Sequence, residues 1–325
     1  MTEGPSSKVL LRRGSLEAPH LGIGKRLRGY LASFDERLRN FDESRLLLLD
    51  LETTGLCGGT GTIPFLAGIL VPDGARSRWQ LTQYFLVTPA GEKQFLEALA
   101  PLLAGASAIV SFNGKRFDWP VLLSRYVLNK MCPPVDDPPH IDLLYPARRL
   151  WSKALQSVAL QNLEERVLGF RRRFDIPSAL VPSYYQMFLA SRQLGVMYPV
   201  FAHNVQDIFS MLLLAMRLSE SFDGEYACLS ELELAGLARA CKRAGMDAER
   251  LDCLRNLVER NVFEILPYVE LAKYCEHKAK DYATAISLVK RALRLAPGNV
   301  ELQKRLHRLQ RKSESWARGA SHNNH

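Results

Sequence analysis

Apolar runs separated by short polar segments dominate the first part of the chain. The segment SRLLLLDLE predicts a fully buried strand, and TIPFLAGIL and WQLTQYFLV predict two more strands, the last with alternating apolar and polar residues. Between the last two, PDGARSR contains the Pro, Asp and Gly that are typical of a turn. Because strands with short connections usually pair with each other, we expect antiparallel hairpins here.

The pattern then alternates between helix and strand. GEKQFLEALAPLLAG and WPVLLSRYVLNK predict helices, whereas ASAIVSFN and PPHIDLL predict further strands. From Tyr145 to residue 222 the chain is predicted to be mostly helical. Paired strands followed by strands that alternate with helices predict an α/β fold, with a mixed five-stranded sheet flanked by helices.

From about residue 226 the chain is predicted to be all-α, and it repeats with an offset of 34 residues. The first unit has Leu234, Leu237, Ala238, Cys241, Ala248, Leu251, Leu254 and Val258, and the matching residues are Tyr268, Leu271, Ala272, Cys275, Tyr282, Ala285, Leu288 and Ala292. This is the tetratricopeptide period, with two helices in each unit. Such arrays need roughly three units. The pair is therefore expected to pack on another domain, to be capped by a helix at 299–312, or to bind a partner.

These patterns divide the chain into four parts. We expect a basic N-terminal extension over 1–44, which begins as a mobile segment and includes the helix-like LRGYLASFDERLRNF. The α/β domain is predicted over 45–222 and the tetratricopeptide-like helical repeats over 226–312. The segment 313–325 is predicted to be a disordered tail.

Composition narrows the class of protein. The 325 residues are 47% hydrophobic, which is enough to fill a core, but no apolar run approaches the roughly 18 residues of a membrane span. The first residues lack the features of a secretory signal, and the six cysteines form neither a CxxC pair nor a zinc-like cluster. We therefore expect a soluble, cytoplasmic protein that does not bind membranes.

The net charge of +9 favours a polyanionic partner such as nucleic acid. Arginine supplies most of the excess, in clusters such as GKRLRGY, PARRLW and GFRRRFD. The alternative is a basic surface that serves only solubility.

Two carboxylates end the first predicted strand of the domain. Asp50 and Glu52 are separated only by Leu51, so the period of two residues places both on the same side of the strand. Their mutual repulsion in a partly buried place would be relieved by a cation, and Mg²⁺ prefers such oxygen ligands. The alternative is a solvated strand end.

A second candidate segment, SFNGKRFDWP, follows a later strand. Asp118 precedes Pro120 at the start of a predicted helix and is therefore a candidate N-cap. The functional alternative makes Asp118 a third carboxylate, with Asn113 and Phe117 lining a substrate groove. In an open α/β sheet, ligands usually bind at such strand ends.

The third candidate segment is FAHNVQDIFSMLLLAM. His203 and Asp207 are four residues apart and so share one face of the predicted helix. The first alternative is a His–Asp pair at the helix surface. In the functional alternative Asp207 is a metal ligand and His203 a general base, a role that suits an imidazole with an ordinary pKa of about 6.5.

The order D-x-E, N-x-x-x-F-D and H-x-x-x-D resembles the DEDD-type exonucleases of the RNase H-like superfamily. More closely, the chain is similar to bacterial YprB-like proteins, which join an RNase H-like domain to tetratricopeptide repeats. The stretches that carry the resemblance are DLETTGL, SFNGKRFDWPVL, HIDLLYPARRLW, LQNLEERVLGFRRRFDIPSALVPSYY and HNVQDIFSMLLL.

The resemblance implies an RNase H-like fold and a 3′–5′ exonuclease that acts on single-stranded DNA or RNA with two Mg²⁺ or Mn²⁺ ions. The implied metal ligands are Asp50, Glu52, Asp118 and Asp207, and the residue that activates water is His203. The implied contacts to the terminal nucleotide and its groove are Thr53, Leu56, Asn113 and Phe117.

One spacing departs from the family pattern. Members that use His place it five residues before the last Asp, whereas His203 is four residues before Asp207, the spacing of members that use Tyr. Two other functions remain open: a catalytically silent nucleic-acid-binding platform whose repeats recruit a protein partner, and an adaptor dominated by the repeats. CGGTGT lacks the Lys-Ser/Thr of a phosphate-binding loop, and no residue distinguishes DNA from RNA.

Overall fold

The computed structural model describes residues 8–18, 21–55, 61–74, 78–224 and 226–322. The chain divides into two compact units. The first comprises residues 1–148 and 155–224, and the second comprises residues 149–154 and 225–325.

A mixed six-stranded sheet forms the centre of the first unit. Its strands are β1 (Val9–Glu17), β2 (Leu46–Thr53), β3 (Pro64–Pro72), β4 (Arg78–Leu86), β5 (Ala108–Ser111) and β6 (His140–Asp142). The spatial order is β1-β4-β3-β2-β5-β6. The pairs from β1 to β2 are antiparallel, whereas β2, β5 and β6 run parallel. The predicted mixed α/β sheet is confirmed.

The predicted number of five strands is wrong, because β1 lies inside the segment that we assigned to the N-terminal extension. This strand pairs with β4 over its whole length, from Val9 opposite Leu86 to Glu17 opposite Arg78. Its central residues, Arg-Arg-Gly-Ser, interrupt the apolar alternation on which strand prediction depends. An edge strand tolerates such residues, since much of it faces solvent and its backbone hydrogen bonds come from β4.

The core lies between the sheet and the helices that cover it. Leu46–Leu49 of β2 are at most 1% exposed, as expected for a central strand that is buried on both faces. Tyr185 stacks on Phe65 with ring centroids 4.2 Å apart, and its hydroxyl donates a hydrogen bond to the Leu86 carbonyl at 2.9 Å.

The helices of the first unit include α7, the longest, which packs against β2 and β3. They are α1 (Lys25–Ala32), α2 (Glu92–Gly105), α3 (Asp118–Leu128), α4 (Leu144–Trp151, whose last three residues belong to the second unit), α5 (Leu160–Leu163), α6 (Val181–Ser191) and α7 (Tyr198–Asp223). Short helical turns also form over Glu164–Leu168 and Ser178–Leu180.

The rest of the second unit, where the structure describes it, consists of helices and the short segments that join them. Its helices are α8 (Glu231–Ala244), α9 (Asp247–Glu259), α10 (Leu266–Tyr274), α11 (Tyr282–Leu295) and α12 (Val300–His322), and each packs against the next. The positions that repeat every 34 residues are buried, except Ala248 and Tyr282. The assignment of these helices to the tetratricopeptide family stays a prediction.

The C-terminal segment differs from its prediction. We expected disorder over 313–325, whereas α12 continues to His322, and residues 323–325 lie outside the described part. No Gly or Pro lies between 300 and 318 to end the helix. Among the described helices, none combines the length and the apolar character needed to cross a bilayer.

Candidate active site

Strand β2 presents Asp50 and Glu52 on one face. Asp50 lies opposite Gly68 and Glu52 opposite Leu66 of β3, and the register shifts between Glu52 and Thr53. Glu52 is only 8% exposed, so it is not part of a solvated strand end. The first motif therefore places two carboxylates side by side at a partly enclosed strand end.

The loop before α3 is held in place by Asp142 of β6. Its carboxylate accepts hydrogen bonds from the backbone N–H groups of Asn113 at 2.8 Å and Lys115 at 3.2 Å. Asn113 is left-handed with φ 65°, and a Cβ on Gly114 would lie 2.7 Å from Asp118 Oδ2. The Asn-Gly pair thus allows the backbone to turn and to pass close to Asp118.

Asp118 begins helix α3 and is 7% exposed. Phe117, and not Asp118, occupies the cap position, and it makes no side-chain capping hydrogen bond. The start of α3 therefore does not support the interpretation of Asp118 as an N-cap. Its carboxylate lines a pocket instead.

Helix α7 brings His203 and Asp207 to the same place. His203 is 3% exposed, and its Nε2 atom lies 3.5 Å from Asp207 Oδ2 and 4.0 Å from Glu52 Oε1. Glu52, His203 and Asp207 each offer a ligand atom, and these atoms lie within 4.8 Å of one another. The two α7 side chains therefore form part of an interior cluster and not a pair on the helix surface.

One pocket of about 190 Å³ gathers the described residues that the motifs singled out. The sequence-predicted residues that line it are Asp50, Glu52, Thr53, Asn113, Phe117, Asp118, His203 and Asp207. The rest of the lining consists of Leu51, Phe112, Ser178, Val181 and Pro182. Leu56, the remaining predicted contact, lies outside the described residues.

Burial raises the pKa of all four carboxyl groups, and repulsion from neighbouring carboxylates raises those of Asp50, Glu52 and Asp118 further. For Asp50, burial raises the pKa most, followed by the charges of Asp207, Glu52 and Asp118. Burial likewise raises the pKa of Glu52 well above its ordinary value and that of Asp118 to about 8. The pKa of Asp207 is also raised, because burial outweighs its favourable interactions with His203 and Arg172.

The pocket residues fit a divalent cation. Glu52 Oε1 is buried and has no hydrogen-bond partner among the described residues, so it is free to act as a ligand. Carboxylate oxygens are the ligands that Mg²⁺ and Mn²⁺ prefer, and positive charge between them would lower the raised pKa values. The donor set is therefore that of a hard-metal site.

Asp175, which we did not identify from the sequence, contacts the imidazole. His203 Nδ1 lies 2.5 Å from Asp175 Oδ1, and an ionised carboxylate only accepts hydrogen bonds. The ring therefore donates at Nδ1 and leaves Nε2 facing the pocket. Asp175 lies in an irregular segment that we interpreted as a basic cluster and as one of the stretches that carry the family resemblance, and no periodicity indicated a role for this residue.

Arg172 in the same segment joins Asp175 to Asp207. Its guanidinium donates hydrogen bonds to Asp175 at 2.8 Å, to both oxygens of Glu164 and to Asp207. The side chain is 6% exposed. Arg172 thus supplies a fixed positive charge beside the carboxylates. This role of Arg172 was also not predicted from the sequence.

A buried chain of hydrogen bonds holds Asp50. Asn204 Nδ2 donates to Asp50 Oδ2 at 2.8 Å, and Gln83 Nε2 donates to Asn204 Oδ1, also at 2.8 Å. Arg12 of β1 extends the chain to Gln83 at 3.2 Å. Asn204 is fully buried. Its polar side chain on the buried face of α7 was the one feature of the sequence that could have indicated this hydrogen-bonding role.

Comparison with known proteins places this site in a family. The uncharacterized protein YprB of Bacillus subtilis (strain 168) is 28% identical over 297 residues, covering 78% of this chain and 70% of the relative. The family B DNA polymerase of the archaeon Pyrobaculum calidifontis matches with a TM-score of 0.43 and 16% identity, over 62% of this chain and 29% of the polymerase chain. The RNase_H_2 model of the RNase H superfamily matches residues 47–219, more than half of the chain. With its pocket inside that matched region, the chain belongs to the RNase H superfamily.

Proposed function

We propose that the chain is a metal-dependent exonuclease that removes nucleotides from the 3′ end of single-stranded nucleic acid. The observation that carries this proposal is one pocket that holds Asp50, Glu52, Asp118, Asp207 and the buried His203. Members of the RNase H superfamily are in general hydrolytic nucleases, which supports phosphodiester hydrolysis. The 3′–5′ direction follows from the resemblance of the three motifs to DEDD-type exonucleases.

Two Mg²⁺ or Mn²⁺ ions are the proposed cofactors. Nucleases of this superfamily typically use divalent metals, and Asp50, Glu52, Asp118 and Asp207 would hold them here. When bound, such ions supply a water of lowered pKa and stabilise the leaving oxygen.

His203 is the proposed general base. With Nδ1 hydrogen-bonded to Asp175, Nε2 faces the pocket, where its one hydroxyl neighbour among the described residues is Ser178 Oγ at 3.4 Å, and it can accept the proton of the attacking water. The Asp175 carboxylate keeps the ring oriented and stabilises the imidazolium that forms. At the four-residue spacing from Asp207, His203 still lies one helical turn away on the same face.

Three other side chains are proposed to position the substrate. Thr53, Asn113 and Phe117 line the same pocket and are suited to contact the terminal nucleotide and its groove. The proposed contact of Leu56 stays a prediction. The net charge of +9 supports binding to a nucleic-acid backbone, of either DNA or RNA.

The helices of the second unit have a separate proposed role. We propose that α8–α12 form tetratricopeptide-like repeats that bind a protein partner through a groove between helices. This assignment is supported by the buried positions that recur with an offset of 34 residues.

A cytoplasmic location of the protein stays a prediction.

The experiment that tests the proposed activity is degradation of 5′-labelled single-stranded DNA and RNA with Mg²⁺ or Mn²⁺. We expect a ladder that shortens from the 3′ end and that disappears in EDTA and in Asp118→Asn. Asp247→Asn, at a side chain that is 80% exposed in the second unit, is the matched control and should cleave like the wild type.

Two results would contradict the proposal. Equal cleavage by Asp118→Asn would assign the ladder to a contaminating nuclease. Retained binding without metal-dependent cleavage of either polymer would favour the catalytically silent platform.

A further inference from the structure

An exposed aromatic side chain lies in the segment that supplies Asp175. Phe174 is 96% exposed, more than any other large hydrophobic side chain in the described ranges. Single exposed hydrophobic residues are common on protein surfaces. Phe174, however, directly precedes Asp175, which contacts His203 of the pocket, and it directly follows a run of three arginines.

The segment is anchored by one residue before the exposed ring and one after it. Arg172 is bonded to Glu164 and Asp207, and its side chain is 6% exposed. Asp175 is bonded to His203, and its side chain is 14% exposed. Inward side chains at 172 and 175 leave Phe174 outward, and its Cα lies about 3.8 Å from that of Asp175.

Two arginines precede the ring in the sequence and also face solvent. Arg173 is exposed and forms no ion pair with any residue that the structure describes. Arg171 pairs with Glu165 at 2.7 Å, but its side chain is 81% exposed, and ion pairs at such exposure are weak. Both guanidinium groups are therefore available to phosphates, which the carboxylates of the pocket by themselves would repel.

An aromatic face beside arginines is the combination with which proteins bind single strands: bases stack on the ring, and phosphates pair with the cations. We propose that Phe174, together with the preceding Arg171 and Arg173, is a stacking platform for an unpaired base of the strand that enters the pocket. This inference rests on the proposed function and adds to it a base-contacting residue outside the three motifs.

The test measures binding without cleavage, in the Asp118→Asn background. The probes are fluorescein-labelled single-stranded DNA and RNA, and otherwise identical strands whose 3′-terminal nucleotides are abasic. Fluorescence anisotropy gives the affinities of Phe174→Ala, Phe174→Trp and the control Phe263→Ala, at a ring that is 89% exposed in the second unit. In a second readout, 2-aminopurine at each 3′-terminal position reports stacking through its fluorescence.

We expect Phe174→Ala to weaken binding of the base-bearing strand by about 5- to 150-fold, the range for loss of one base–aromatic stack. Phe174→Trp should restore the affinity, Phe263→Ala should leave it unchanged, and the abasic strand should bind equally well with and without the ring. The 2-aminopurine signal should change in at least one position and only when residue 174 is aromatic.

Three results would overturn the platform: unchanged binding in Phe174→Ala, equal weakening on base-bearing and abasic strands, or equal weakening in Phe263→Ala. Failure of the proposed function gives a different result. In that case the chain with an intact Phe174 binds neither DNA nor RNA, and the wild type cleaves neither. If the wild type cleaves normally and Phe174→Ala binds the strands as well as its parent does, only the stacking platform is contradicted and the proposed function stands.

Discussion

Asp175 and Arg172 connect the imidazole of His203 to the carboxylate of Asp207. Although burial by itself raises the pKa of Asp175, its interactions with His203 and Arg172 outweigh that effect and lower the pKa below its ordinary value. Asp175 therefore stays ionised and keeps accepting the hydrogen bond from Nδ1. Such supporting residues commonly decide how well an active-site histidine is oriented.

Asp175→Asn should lower kcat by about 10- to 100-fold with little change in KM, because the amide keeps the size of the side chain but not its charge. It should also change the imidazole ¹⁵N resonances of His203 in the metal-free protein, since an amide can donate to Nδ1 and favour the other tautomer. Kinetics and NMR check these two outcomes.

Asp247→Asn serves as the control for Asp175→Asn, and neither its kcat nor its His203 resonances should change. Wild-type kcat in Asp175→Asn would show that the hydrogen bond does not contribute to the reaction.

At the level of elements, the site depends on the close approach of α7 to β3. A Cβ at Gly68 of β3 would overlap Asn204 and Ile208 of α7. Asn204 is the residue that holds Asp50, so the spacing of a helix over a strand positions a candidate metal ligand. The requirement at this glycine is space, because its backbone is not left-handed.

Gly68→Ala should displace Asn204, lower the free energy of unfolding by about 1–3 kcal/mol and reduce metal-dependent cleavage. Urea unfolding and the cleavage assay measure the two effects. Gly14→Ala is the matched control in β1, where an added Cβ has no neighbour within 4 Å, and it should change neither. Equal behaviour of the two variants would contradict the role assigned to Gly68.

In the second unit, Glu276 connects the turn after α10 to α12. Its buried carboxylate accepts hydrogen bonds from Arg305, Arg308 and Lys312 at 2.8–3.1 Å. Burial alone would raise the pKa of Glu276, but the bonds from Arg308 and Lys312 lower it to about 2. This pKa lies below the ordinary value of about 4.3, so the stabilisation is present above that value and is lost as the pH falls towards about 2.

Glu276→Gln should lower the free energy of unfolding by about 2 kcal/mol near neutral pH, because the amide cannot replace the four charge-assisted hydrogen bonds from these three residues. The difference from the wild type should shrink as the pH falls towards about 2, which urea unfolding at two pH values measures. Glu301→Gln, at a side chain that is 85% exposed, should have almost no effect. A pH-independent difference would contradict the electrostatic explanation.

At the scale of the whole molecule, the buried carboxylates of the pocket lower the stability of the metal-free fold. The pKa of Asp118 is raised to about 8, whereas an unfolded Asp titrates near 3.9, so its ionisation destabilises the metal-free fold increasingly as the pH rises between these values. Active sites often retain such a cost because the same groups are needed for function.

Asp118→Asn should therefore raise the melting temperature of the metal-free protein near neutral pH, by on the order of 3 °C. Calorimetry in EDTA measures this, and the difference should be smaller at lower pH. Mn²⁺ should stabilise the wild type more than the variant, because a ligand that binds only the folded state stabilises it. A lower melting temperature of Asp118→Asn in EDTA would contradict the charge-repulsion account.

The residues of the three motifs could be predicted from the sequence to a larger extent than the residues that support them. Asp50 and Glu52 could be predicted to lie together, since strand periodicity is local and the apolar run before them marks a buried strand. His203 and Asp207 could be predicted to share a face because helical periodicity is equally local. Asp175 and Asn204 could not be assigned a role, since their contacts join segments that no period relates.

The sequence by itself determined the strands β2 to β4, the helix α7 and the order of the three acidic motifs, because each follows from short-range periodicity and apolar content. Only the tertiary structure decided that β1 joins the sheet, that Asp175 orients His203 and that Gln83 reaches Asn204 across 121 residues. These contacts depend on how distant segments pack, and the spacing of residues along the chain carries no information about that packing.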